Sequence, residues 1–274
     1  MKQLFSITAI SLALLIMVGC DKPGDTPSAP YKLSYGDSIF YIKNAVGDVL
    51  VNPTEVRAGT YTGFPEGIQI NELNGEVNVS KSETGLRYRI TFKDAVTGDT
   101  SSTIILISGI NYYDKIYNLS NNDTTVVPVY NASTSRTIPA NSVFDEGNGC
   151  NSVGVAVDIN AATINIAQSI RNGLFGNVPK NGDTKEVEMK YRVNDGSNKS
   201  LNSLKVKLYY FNTAADITPD YIQLLKDREG TILGANTGSP LAGWNTEIVS
   251  GAAGTGTTKG VAKPRPPCIF IVGR

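Results

Sequence analysis

One short motif occurs twice in this chain, 87 residues apart. Gly67-Ile68-Gln69-Ile70-Asn71 through Gly75-Glu76-Val77-Asn78-Val79 returns as Gly154-Val155-Ala156-Val157-Asp158 through Ala162-Thr163-Ile164-Asn165-Ile166. At this offset Gly67 meets Gly154, Val77 meets Ile164, Asn78 meets Asn165, Val79 meets Ile166 and Ser82 meets Ser169. Each copy reads as a short alternating strand, a turn and a second alternating strand. Asn74-Gly75 is a strong turn signal, because both residues tolerate positive φ. Ala161-Ala162 stands there in the second copy, so its turn must differ.

Each copy is followed by a hairpin pattern. In the first, Leu86, Tyr88, Ile90 and Phe92 alternate with Arg87, Arg89, Thr91 and Lys93, and Thr97-Gly98-Asp99 turns the chain into Ser102–Ile107. In the second, Val187, Met189, Tyr191 and Val193 alternate with Glu186, Glu188, Lys190 and Arg192. Asn194-Asp195-Gly196-Ser197 then turns into 204–211, with Leu204, Val206, Leu208 and Tyr210 on one face. Alternation of period two is what a half-buried antiparallel strand requires. The expected fold is all-β: two tandem antiparallel β-sandwich domains of Ig-like type, over 31–117 and 149–274.

The polar segment 118–148, with an apolar run at Val126–Tyr130, is expected to be a connector carrying one strand. Leu174–Asp183 reads as an inserted loop. One short helix is expected in the C-terminal part: Thr218 as cap, Pro219 in the first turn, and Tyr221, Ile222, Leu224 and Leu225 on one side before Gly230. After a Gly/Thr/Ala-rich stretch, Cys268–Val272 reads as a buried closing strand.

The first copy resembles the Ig-like, cadherin-like modules of bacterial surface proteins. The resemblance rests on Phe64-Pro65-Glu66-Gly67-Ile68, Asn74-Gly75-Glu76-Val77 and Gly85-Leu86-Arg87-Tyr88. It covers roughly residues 60–110, and the second copy only loosely. It implies a fold more than an activity, since such modules serve as spacers, adhesins and binding domains.

Residues 1–19 read as a secretory signal. Lys2 gives a short positive start and Leu4 to Val18 an apolar stretch of 15 residues, short of the roughly 20 that a spanning helix needs. Met17-Val18-Gly19-Cys20 resembles the lipobox of bacterial lipoproteins, with Met17 in the place usually held by Leu. The resemblance implies cleavage before Cys20, lipid attachment at Cys20, and anchorage to the membrane by acyl chains worth about 0.8 kcal/mol per buried methylene. Residues 20–30, rich in Pro, Gly, Ser and Thr, would form a flexible tether. Asp21 keeps some enteric lipoproteins in the inner membrane. The turn-rich Ig-like composition looks more like outer-membrane and surface lipoproteins, and the expectation is a surface-exposed outer-membrane anchor.

Histidine is absent from the whole sequence. That removes Ser-His-Asp and Cys-His nucleophile systems, imidazole metal ligands and histidine acid/base chemistry together. One basic residue lies in the leader, so the remainder carries 24 basic and 25 acidic residues. Without a basic block, that balance argues against a nucleic-acid partner. With Cys20 acylated, Cys150 and Cys268 remain, either joined by one disulfide or held as separate buried thiols.

Three constellations bear on chemistry. Asn194–Asn198 clusters oxygens as a calcium loop does, but lacks spaced carboxylates, and a hairpin turn explains the same residues. Trp244, Tyr209 and Phe211, with Tyr112-Tyr113, offer apolar faces for stacking on sugar rings, although alternation sends about half of such aromatics to the core. Asp145-Glu146 and Asp94 are acids, but nothing in the sequence brings two of them together as glycoside hydrolysis needs. Lys263 and Arg265 read as tail residues, too few for a polyanion site. The expected function is therefore a lipid-anchored envelope protein presenting a structural, adhesion or binding surface, with no catalytic residues, metal or cofactor. Its partners would be the membrane and a glycan or another envelope protein. The alternatives are a glycan-binding accessory lipoprotein of a nutrient-uptake system and, behind it, a carboxylate-based glycoside hydrolase.

Overall fold

The two hairpins that alternation marks out form the spine of the molecule, described by a computed structural model over residues 30–230 and 265–274. In chain order come β1 (Ile39–Phe40), β2 (Leu50–Val51), β3 (Gly59–Phe64), β4 (Val77–Asn78), β5 (Leu86–Asp94) and β6 (Thr100–Ile107). The middle holds β7 (Ile110–Asn111), β8 (Lys115–Asn118), β9 (Thr125–Val126), β10 (Val129–Tyr130) and β11 (Val143–Phe144). Then follow β12 (Ala156–Val157), β13 (Ile164–Asn165), α1 (Ile166–Arg171), β14 (Asp183–Arg192), β15 (Asn202–Phe211), α2 (Pro219–Arg228) and β16 (Cys268–Val272).

These strands build a mostly-β body of several sheets. A four-stranded sheet runs β1-β6-β5-β3 and a five-stranded one β11-β14-β15-β16-β8. Three small sheets, β12-β13-β9, β2-β4 and β10-β7, accompany them. The long hairpins are antiparallel, β5 on β6 and β14 on β15. The sheets are nevertheless mixed, which corrects the purely antiparallel expectation: β1 on β6, β15 on β16 and β16 on β8 are parallel. Alternation marks strands, and it carries no information on the direction of the neighbour.

Burial follows the period. Leu86, Tyr88, Ile90 and Phe92 on β5 are buried, while Arg87, Arg89 and Thr91 between them are half-buried. On β15, Leu204, Val206 and Leu208 enter the main apolar cluster with Val187, Met189 and Tyr191 of β14. The opposite face of β15 sends Tyr209 and Phe211 into a second cluster with Cys268, Phe270 and Val272, closed by Tyr221, Ile222, Leu224 and Leu225 around α2. β16 is thus covered on both faces, and all five of its residues are buried. An unbroken apolar run is what a strand packed on both sides requires.

The repeat is reproduced in local geometry. Asn78 and Asn165 share φ −87° and ψ 98° and cap the turn that follows, accepting from Lys81 N and Gln168 N. The hydroxyl of Ser82 donates to Asn78 O at 2.7 Å and accepts from Gln69 N at 2.9 Å; Ser169 does the same with Asn165 O and Ala156 N at 2.7 and 2.9 Å. Gly75 sits at φ +74° and Ala162 at +56°. Tyr35 donates to Gly75 O at 2.6 Å and Tyr112 to Ala162 O at 2.5 Å. The second-copy turn therefore keeps the backbone of the first, contrary to expectation, with alanine held in the left-handed region that glycine occupies without strain.

Elsewhere the structure revises the sequence picture. After Asn165 the second copy continues into the helix α1, whereas the first makes only a 3-10 turn, Val79–Lys81. Ile164 and Ile166 alternate like a strand, which hides the Asn165 cap. Thr218 stands at the N-cap of α2 but makes no side-chain cap bond; Pro219 and Asp220 open the helix, and Lys226 and Arg228 close it, as the helix dipole favours. The expected single strand at Val126–Tyr130 is broken at Pro128 into β9 and β10, which join different sheets. The region 118–148 thereby contributes β9, β10 and β11 to three sheets. β8, placed by composition with the first half, pairs with β16 in the five-stranded sheet. Contacts group Lys32–Arg274 in one unit. No described helix is long and apolar enough to cross a membrane.

Candidate functional site

Two polar clusters join the halves of the body. At the first, Thr84, just before β5, lies 2.7 Å hydroxyl to hydroxyl from Tyr191 of β14, and Asn202 Nδ2 of β15 donates to the same Tyr191 oxygen at 2.9 Å. Gly109 packs against both, where a β-carbon would lie 2.5 Å from the Tyr191 hydroxyl and 2.7 Å from Thr84 Cβ. Asn131 Oδ1 accepts from Gly109 N at 3.0 Å. Asp195 Oδ2 accepts from Ser108 Oγ at 2.8 Å and Tyr130 OH at 2.9 Å. Burial and the adjacent Asp195 carboxylate push the Tyr130 hydroxyl up to about 12. Asp195 Oδ1 accepts from Ser197 N at 2.9 Å, so one carboxylate oxygen of Asp195 serves the hairpin turn and the other the junction. No group of three or more acidic, Cys or His residues able to hold a metal occurs among the described residues.

The second cluster surrounds the entry to β16. Asp114, between β7 and β8, accepts from Arg265 Nη2 at 2.9 Å, Arg228 Nη1 at 3.2 Å and Cys268 N at 2.8 Å. Arg265 is fully buried and Asp114 nearly so. Arg228 also bonds Glu66 at 2.7 Å and the Pro266 carbonyl at 3.1 Å. Glu83 faces the same cluster, taking a hydrogen bond from the Arg265 backbone. Burial pushes the Glu83 carboxyl up to about 8, against the opposing pull of Arg265. A buried charge is tolerated only when paired and hydrogen-bonded, and here two arginines and the β16 backbone converge on one carboxylate. The sequence reading that made Arg265 a tail residue is corrected. Its one visible signal is the proline frame Pro264-Arg265-Pro266-Pro267 directly before an apolar strand.

The site residues proposed from sequence are scattered. Tyr209 and Phe211 are core, stacked on Phe270 at centroid distances of 4.7 and 6.4 Å beneath Tyr221. They offer no face for a sugar, because α2 covers the side of the sheet they occupy. Trp244 and Cys20 lie outside the described residues. Cys150 and Cys268 are free and buried, one in the main cluster and the other in the α2 cluster, on opposite faces of the five-stranded sheet. The disulfide is therefore not formed, and the alternative of separate thiols holds. Burial and the neighbouring Asp145 carboxylate push Cys150 up to about 12, which keeps it protonated and unreactive.

The carboxylates each serve a local structure. Asp145 accepts from Cys150 N at 2.7 Å, Asn151 N at 3.0 Å and Asn151 Nδ2 at 2.8 Å. Glu146 is held below its ordinary range by its ion pair with Arg192. Asp94 is held low by the backbone N–H groups of Thr97 and Val96 in the β5–β6 turn.

No protein-family model matches the chain, and no curated protein sequence matches it. Among solved structures it is similar to Drosophila N-cadherin EC1-4, at 11% identity and a TM-score of 0.21 over 66% of this chain and 49% of that one. It is also similar to human protocadherin-24 EC1-2, at 9% identity and a TM-score of 0.21 over 64% and 94%. The chain thus spans about half the length of the first of these.

Proposed function

We propose that the protein is a lipid-anchored envelope protein that displays two Ig-like β-modules, as one stiff body, in a structural, adhesion or binding role without catalysis. The tether begins at Cys20, at the outer membrane. The observation that carries this reading is the repeat: two motif copies with matching caps, serine bridges and tyrosine-to-turn bonds. Such conservation of frame within one chain is what a displayed tandem needs, each module carrying its own hydrogen-bond scaffold. The halves are then joined by buried polar side chains rather than by a free linker. A stiff joint fixes the distance between membrane and outer tip, whereas a flexible one would not.

Shaving intact cells with a protease tests display. The body should be lost from wild-type cells while a lipid-bearing stub stays with the membrane. In the Cys20→Ser variant the protein should leave the detergent phase altogether. Full protection of the body on intact cells would contradict surface display, and detergent partition unchanged by Cys20→Ser would contradict the anchor.

A further inference from the structure

The outer faces of the two large sheets differ in charge. On the second, Glu186 of β14 pairs with both Lys205 and Lys207 of β15, at 3.4 and 3.6 Å, so acid and cations offset each other. On the first, alternation turns Arg87, Arg89, Thr91 and Lys93 of β5 away from the core, about 7 Å apart along the strand. Thr62 and Ser102 flank Thr91 on the neighbouring strands, and Phe64 and Ile104 flank Arg89. None of the outward positions on these three strands is acidic. Arg136, exposed between β10 and β11, adds a further cation. Burial and the charge of Arg136 push the Arg87 guanidinium below its ordinary value, with no carboxylate to offset them. Among the described residues neither Arg87 nor Arg136 has an ion-pair or hydrogen-bond partner, and Arg87 Nε is shut off from solvent as well. A guanidinium so placed carries donors and lacks acceptors.

We propose that the outer face of the β3-β5-β6 sheet is a docking surface for an acidic polysaccharide, whose carboxylate or sulfate groups are taken by Arg87 and Arg136. Two guanidinium groups without counter-ions supply the charge complementarity, since each planar fork can hold an oxyanion through two parallel bonds. The rest of the surface favours a sugar chain over an acidic peptide. The Thr91 and Ser102 hydroxyls bond each other at 2.8 Å, with Thr62 alongside, and such groups donate and accept as sugar hydroxyls do. Phe64 and Ile104 stand exposed on either side of Arg89 and give apolar contact to ring faces. An extended peptide would instead add to the edge of the sheet. That edge, β3, already gives Tyr61 N–H to Glu72 O at 2.8 Å. The row from Arg87 to Lys93 is about 20 Å long, which suits a linear chain of several sugar units better than one small anion. The inference rests on the binding role proposed above, for which it names a ligand class, and not on the lipid anchor.

Titration calorimetry of the purified full-length chain with polygalacturonate, dextran sulfate and uncharged dextran tests it. Saturable binding to at least one of the acidic polymers, weakening as salt is added, is expected, with none to dextran. Arg87→Gln with Arg136→Gln should weaken that binding about tenfold or more. Lys205→Gln with Lys207→Gln removes the same charge from the other sheet and should leave it unchanged. Arg136 is exposed on a loop, so Arg136→Glu alone should also weaken binding, and it serves as the test if the double variant does not fold. Binding to neither acidic polymer, equal binding to dextran, or equal losses from the two double variants overturns the proposal. Tighter binding to poly-glutamate than to either acidic polysaccharide does so too, because the surface would then take an acidic peptide. None of these failures touches the anchor or surface display, which protease shaving tests separately.

Discussion

At the scale of single residues, stability gathers at the few positions where charge or backbone strain is buried. Asp114 holds two arginines and a backbone N–H with almost no exposure. Removing its charge leaves both guanidinium groups without that partner, and Asp114→Asn should cost about 3–5 kcal/mol in urea unfolding. Glu83 gives the same cluster a pH dependence. Its carboxyl is pushed up from 4.5 to about 8, so between these values the folded state holds a proton that the unfolded chain has released. Stability from this group is complete below pH 4.5 and is lost as pH rises towards 8. The urea midpoint should fall across that window, and Glu83→Gln should flatten the fall; an identical slope in both proteins would refute the assignment. Little of this was legible beforehand. Histidine could be excluded by reading alone, but Asp114, Glu83 and Arg265 lie far apart in sequence and only pairing of the strands brings them together.

At the scale of elements, the repeat predicts asymmetric tolerance in its two turns. Gly75 has positive φ, and a β-carbon there would lie 2.6 Å from Tyr61 Cδ1 and 2.7 Å from Pro53 Cγ. Gly75→Ala should therefore destabilise by about 2–4 kcal/mol, combining left-handed strain with overpacking. Ala162 already occupies the same conformation and is buried in the main cluster. Ala162→Gly relieves strain but gives up a buried methyl and loosens the unfolded chain, so it should change stability by less than about 1 kcal/mol. Thermal melts of the two variants decide the matter; equal losses would mean that the turns are not equivalent. The long hairpins were readable because eight or more alternating residues leave few other folds. The two-residue strands β7, β9 and β10 were not, since a pair of residues has no period. α1 was missed for a related reason: its first residues continue the alternation of β13 before the helix begins.

At the scale of the whole molecule, sequence composition suggested two domains with a polar connector, and the strands cross that division. β8 enters the second sheet, Thr84 and Ser108 bond residues of the second hairpin, and Asp114 ties the middle of the chain to β16. Polarity marks a connector poorly where buried serine, asparagine and tyrosine side chains form the joint. The proposed spacer role requires that the two halves of the body behave as one cooperative unit. Truncating the Tyr191 hydroxyl should weaken that joint, because it bonds Thr84 from one side and Asn202 from the other; Tyr191→Phe is expected to cost about 1–2 kcal/mol. The most direct measurement is scanning calorimetry of the chain from residue 31 onward. The joined body predicts a single transition whose calorimetric and van't Hoff enthalpies agree. Two separated transitions, one for each motif copy, would contradict it.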